Sequence, residues 1–239
     1  MYDITWLLNK NNVFEDYTVP RLVSYPRTGS HWLRMMLEMS LGAPSYVQSF
    51  FDENPSSCWG FHIHNRIVQN PHWTEGPVTN LKNVLYLYRD PTDTIYSMLK
   101  YEKKISNDWD EKAGYDLDSD VEQLIKEYKA HLNRWMINNS DIENFMPLTY
   151  EELKNETKDS IIKIANFLNA DVSHDRVSES IAKCDKRLTK KLTPHDPQAL
   201  SNEYFSGKSN YVDGRSKFKS VYGSQIDDRF SKVLSEITG

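Results

Sequence analysis

The residues best suited to chemistry are most concentrated in Val23-Ser24-Tyr25-Pro26-Arg27-Thr28-Gly29-Ser30-His31-Trp32, where a cation, two hydroxyls, a glycine and an imidazole are contiguous. A glycine turn opening a helix aims several backbone N–H groups at one point, where the helix dipole also favours an anion. Gly29 permits close approach of a phosphate, and Thr28 and Ser30 add hydroxyl donors. An ordinary βα turn has the same composition, so the stretch does not decide by itself. A second cluster is Tyr88-Arg89-Asp90-Pro91-Thr92-Asp93 through Ser97. Its arginine fork and nearby hydroxyl could hold a second phosphate, or Arg89-Asp90 could be a surface ion pair worth little. A third is His62-Ile63-His64. On a strand both imidazoles share one face, and a histidine titrating at about pH 6.5 can take a proton from an attacking hydroxyl. The pair could also be partly buried polar residues or a fragment of a metal site. Cys58 is a weak third ligand, and no Cys-x-x-Cys or His-Glu-x-x-His pattern occurs.

The elements that must position these groups follow from periodicity. Arg21 to Tyr25 has strand composition, and Ser30 to Leu41 reads as a helix with Trp32, Leu33, Met36, Leu37 and Leu41 as its apolar stripe, ended by Gly42-Ala43-Pro44. Cys58 to His64 is a predicted strand between loops at 48–57 and 70–80. Asn83 to Arg89 is apolar and aromatic throughout, as a strand buried on both faces should be. Asp90 suits the N-cap, Pro91 the first helical position and Asp93 the first turn of a helix running to about Lys104. A surface loop over 106–120 precedes a helix from Val121 to Asn138. Phe145 to Thr149 is a short strand whose Pro147 points to a sheet edge or an irregularity. Helical segments follow from Tyr150 to Leu168 and from Val172 to Asp185. Residues 187–218 lack periodicity and read as a long mobile loop before a closing helix over 225–237. Strands alternating with helices predict an α/β fold, a parallel sheet flanked by helices, in one domain over 1–239 with a lead-in at 1–20.

Three of these segments resemble those of the sulfotransferase family. Tyr25 to Trp32 is similar to its 5′-phosphosulfate loop, Tyr-Pro-Lys-Ser-Gly-Thr-Thr-Trp. Arg89-Asp90-Pro91 with Ser97 resembles its 3′-phosphate segment, and Tyr150-Glu151-Glu152-Leu153 its Tyr-Glu-Asp-Leu segment. The resemblance implies a P-loop-type sulfotransferase fold. It also implies sulfuryl transfer from 3′-phosphoadenosine 5′-phosphosulfate to a hydroxyl or amine, without a metal. Arg27 then takes the place of the lysine at the leaving phosphate. Thr28, Gly29, Ser30 and His31 surround the phosphosulfate, Trp32 and Tyr150 border the adenine, and Arg89 and Ser97 hold the 3′-phosphate. His64 falls on the family's general base and His62 on a lysine position. The family's C-terminal Arg-Lys-Gly segment is only faintly matched. Val212 and Asp213 stand at its basic positions, with Arg215, Lys217 or Lys219 as substitutes on a loop expected to order with nucleotide.

Size and charge bound the alternatives. A chain of 239 residues can bury a full core. A formal charge of −5 argues against broad nucleic-acid binding. Two cysteines, Cys58 and Cys184, suggest a reducing compartment, and neither a signal peptide nor a membrane span is legible, so a cytoplasmic location is expected. A P-loop kinase would need Gly-x-x-x-x-Gly-Lys-Ser/Thr, which this turn lacks. A non-catalytic nucleotide- or sulfated-ligand-binding module stays open, with Arg27 and His31 as marks of lost chemistry. The partner expected is a small-molecule or carbohydrate hydroxyl acceptor; Phe50, Phe51, Trp59, Trp73 and Trp109 could line its pocket or stand in the core. No dimerisation motif is evident near the C-terminus.

Overall fold

The computed structural model describes residues 20–42, 61–64, 81–102, 104–105, 116–184 and 209–238, with backbone alone for 61–64, 209–213 and 238. The lead-in, the loops at 48–57 and 70–80, and the aromatic residues Phe50, Phe51, Trp59, Trp73 and Trp109 lie outside them.

Four parallel strands form the sheet: β1 (Arg21–Ser24), β2 (Phe61–His64), β3 (Asn83–Tyr88) and β4 (Asn144–Thr149), in the order β2-β1-β3-β4. Residue alternation assigns the two faces. Val23, Val84 and Tyr86 pack with α2 (Pro91–Tyr101), α3 (Leu117–Leu132) and α7 (Ser209–Thr238). Leu22, Leu85, Leu87, Met146 and Leu148 face α1 (Ser30–Leu41), α4 (Tyr150–Asn155), α5 (Thr157–Phe167) and α6 (His174–Lys183). Strands covered on both faces read as continuous apolar runs, which is why β3 was so legible. β4 stands at the sheet edge among the described strands, where Pro147 is tolerated.

Because β2 lies on one side of β1 and β3 on the other, the strand order reverses between β1 and β3. Open α/β sheets bind ligands at the carboxyl ends of the strands at such a reversal. The turns after β1 and β3 are the two phosphate-like segments, so the topology alone brings them side by side.

Several boundaries differ from the sequence reading. Residues 209–218 are helix, not a loop awaiting nucleotide; α7 runs from Ser209, and Phe218, Tyr222, Ile226, Phe230 and Val233 form one buried stripe against α2 and α3. Gly214, Asp213 and Ser216 masked that four-residue period. α3 begins at Leu117, one turn before Val121, because the Asp116 side chain accepts from the Ser119 N–H as an N-cap. Its expected last turn is a π segment, Asn133–Ile137, and α2 ends at Tyr101 instead of Lys104. Helix α1 is buried nearly all round, Arg34 and Glu38 included, where an amphipathic stripe was expected. Cys184 is a free, buried thiol whose pKa burial pushes up to about 12.

Candidate functional site

The first turn is built for close backbone approach. Arg27 and Gly29 both lie in the left-handed region, at φ 70° and 98°. Gly29 is the N-cap of α1 and brings no side-chain cap, so the dipole and first N–H groups of the helix face the turn. A Cβ at Gly29 would sit 2.6 Å from Cδ2 of Tyr150, so the glycine is required by both φ and space. Thr28 is buried, and its hydroxyl donates to the Tyr25 carbonyl at 2.8 Å. What it can offer an anion is therefore its backbone N–H. Ser30 is buried, His31 and Trp32 are half-buried, and the Trp32 ring meets Tyr150 edge-on at 6.2 Å.

The second turn is anchored from several directions. Asp90 caps α2 by accepting from the Asp93 N–H at 2.9 Å, with Pro91 at the first helical position. Burial pushes the Asp90 carboxyl above its ordinary value despite the pull of that hydrogen bond. The Arg89 guanidinium donates to the Arg27 carbonyl at 3.4 Å and to Asp93 at 3.3 Å, and lies 4.6 Å over the Tyr150 ring. Asp93, buried, also receives Nε of Arg215 from α7. The Tyr128 hydroxyl accepts from the Arg89 N–H at 3.1 Å and donates to its carbonyl at 2.7 Å. Burial raises the Tyr128 phenol well above its ordinary range, so it remains a neutral donor and acceptor.

The turns meet through Arg27 and Ser97: Nε donates to Oγ at 3.3 Å, and the guanidinium lies 5.3 Å over Tyr101, one helical turn beyond Ser97. Tyr150 opens α4, which the capping box Thr149–Glu152 starts at the end of β4. The backbone of β2 puts His64 in register with Ser24, at the same end of the sheet as both turns, and His62 in register with Leu22, two residues deeper. Arg27, Gly29, Trp32, Arg89, Ser97, Tyr150 and Arg215 thus form one linked group. Tyr101 and Tyr128 were not named for the site from sequence, and Asp93 only as part of the Arg89 segment; the four-residue steps from Arg89 to Asp93 and from Ser97 to Tyr101 were the readable signals.

With two cationic turns, a glycine cradle, a helix N-terminus and flanking aromatic rings, the arrangement suits a ligand carrying two phosphate groups and a planar base. Residues 21–237 match the family model described as a sulfotransferase domain. Among similar proteins, rat (Rattus norvegicus) sulfotransferase 2A2 is 25% identical over 178 residues, 66% of this chain and 61% of its own length. The chain therefore spans less than two thirds of that relative. Mouse sulfotransferase SULT7A1 complexed with PAP superposes with a TM-score of 0.65 at 21% identity, covering 97% of this chain and 89% of its own. Retinol dehydratase in complex with androsterone and PAP gives 0.64 at 14% identity, covering 98% and 87%. At these identities the two structures show a common fold.

Proposed function

The chain belongs to the sulfotransferase domain family, and from that premise we propose that it transfers a sulfuryl group from 3′-phosphoadenosine 5′-phosphosulfate to a hydroxyl or amine acceptor. The observation that carries this reading is the junction of the two turns at the reversal of strand order. Arg89 donates to the Arg27 carbonyl, Arg27 reaches Ser97, and the Tyr150 ring covers both Gly29 and Arg89.

In this reading the backbone of Thr28 to Trp32 and the start of α1 hold the 5′-phosphosulfate, and Arg27 neutralises charge on the leaving phosphate. Arg89, Ser97 and Arg215 hold the 3′-phosphate, and Trp32 and Tyr150 flank the adenine. His64 takes the acceptor proton as the acceptor oxygen or nitrogen bonds to sulfur and the sulfur–oxygen bond to the 5′-phosphate breaks. His62, deeper on the same strand, supports it from the family's lysine position. The products are the sulfated acceptor, 3′-phosphoadenosine 5′-phosphate and the proton on His64. The donor supplies the activated sulfuryl group, and the chemistry requires no metal.

A small-molecule hydroxyl acceptor fits the androsterone bound by the structural relative. No helix among the described residues is long and apolar enough to cross a membrane; the two cysteines favour the cytoplasm as the working compartment. The test is donor consumption across an acceptor panel. Wild-type protein should turn over, and His64→Ala should reduce kcat by ~10²–10⁴-fold, the range of a positioned base. Tight binding of 3′-phosphoadenosine 5′-phosphate with no turnover on any acceptor would instead mark a binding module.

A further inference from the structure

Lysine is the family's usual residue where this chain has Arg27, and the two are not equivalent. An ammonium is a compact point charge, whereas a guanidinium is a planar fork whose usefulness depends on how its plane is set. Arg27 also starts from an uncommon backbone, at φ 70°, which fixes where its side chain leaves the turn. From there it extends to α2, where Ser97 and Tyr101 stand one turn apart on one helix face. Nε donates to Ser97 Oγ at 3.3 Å, and Cζ lies 5.3 Å from the centre of the Tyr101 ring, within the range of a cation–π contact. The hydrogen bond at Nε and the aromatic ring near Cζ both restrict how the fork can turn.

We propose that Tyr101 is a positioning residue that fixes the Arg27 guanidinium between the two turns of the nucleotide site, so that an arginine can serve where the family uses lysine. Tyr101 is 37% exposed, one of two exposed large hydrophobic residues among those described, and the Arg27 guanidinium lies over its ring. This rests on the sulfotransferase reading of the turn. It adds a residue that acts through Arg27 without touching the reacting atoms.

The test measures binding of 3′-phosphoadenosine 5′-phosphate by calorimetry with no acceptor present, so that any contact of Tyr101 with an acceptor cannot contribute. Tyr101→Leu should weaken binding about two- to fivefold, the range of an exposed cation–π contact, and Tyr101→Phe should restore it because the π face remains. In an Arg27→Gln background, which has no cation to orient, Tyr101→Leu should have no further effect. A merely destabilised protein would show lower binding stoichiometry at unchanged affinity, so the two roles read out differently. The inference is overturned if Tyr101→Leu binds as tightly as wild type, if Tyr101→Phe is as weak as Tyr101→Leu, or if the loss persists without Arg27. A wild-type protein that binds no bisphosphonucleotide overturns the reading of the whole site, and this inference with it.

Discussion

Replacing Tyr128 by phenylalanine removes one oxygen and leaves the packing. The ring is fully buried, tilted on Tyr25 at 4.6 Å and on Phe230 at 5.7 Å, and those contacts survive. What is lost is the pair of hydrogen bonds to the Arg89 backbone, at 3.1 and 2.7 Å. At about 0.5–1.5 kcal/mol net for each, the expected loss of stability is about 1–3 kcal/mol. For a domain of this size each kcal/mol lowers Tm by about 2–4 °C. The hydroxyl holds the strand end from which Arg89 projects, so the substitution should also weaken 3′-phosphoadenosine 5′-phosphate. If about 1 kcal/mol of the loss falls on the bound geometry, Kd rises about fivefold. The wild-type phenol stays protonated because burial raises its pKa, so the difference between the two proteins should be constant between about pH 6 and pH 9. Thermal unfolding and calorimetry measure both quantities. Unchanged Tm with unchanged Kd would refute the view that Tyr128 anchors the Arg89 turn.

Further outcomes follow from the same geometry. Gly29→Ala forces a side chain onto φ 98° and against the Tyr150 ring at 2.6 Å; backbone strain alone costs about 1–3 kcal/mol, and nucleotide affinity should fall more than about tenfold as Tyr150 moves off Arg89. The Asp90 carboxyl titrates above its ordinary value of 3.8, chiefly through burial, so its contribution to stability falls as pH rises through that value and the folded one. Asp90→Asn, which keeps the cap without the charge, should therefore remove that fall, so that urea midpoints rise more steeply with pH through the acid range, whereas Asp90→Ala should lose about 1 kcal/mol through the missing cap. Burial raises the Glu152 carboxyl, but hydrogen bonds from Thr149 outweigh it and hold the pKa below 4.5. Its stabilising share is present above that value and lost as pH falls through the folded pKa, and Glu152→Gln should abolish this acid dependence in the same titration.

Much of this molecule was legible before any coordinates. The start and end of α1 at Ser30 and Leu41, the capping of α2 by Asp90 and Pro91, and the burial of β3 follow from local rules of period, cap and turn. So does the strand–turn–helix form of Tyr25 to Trp32, with Gly29 at the helix start. Local rules failed where long-range packing decides. α7 carries Gly214 and polar residues in its first turns, so its helicity comes from docking Phe218 and Tyr222 against α2 and α3. Arg34 and Glu38 look like surface residues of α1 and are buried by elements distant in sequence.

The chain itself determined which side chains could meet phosphate, because residue type and turn chemistry are local properties. Only the tertiary structure decided how they meet. The strand order β2-β1-β3-β4 sets Arg27 beside Arg89 across 62 residues of sequence. Helix packing brings the Tyr128 hydroxyl to the Arg89 backbone and Arg215 to Asp93. Those contacts depend on sheet order and helix docking, which satisfy buried apolar area over the whole domain and leave no mark at any one residue.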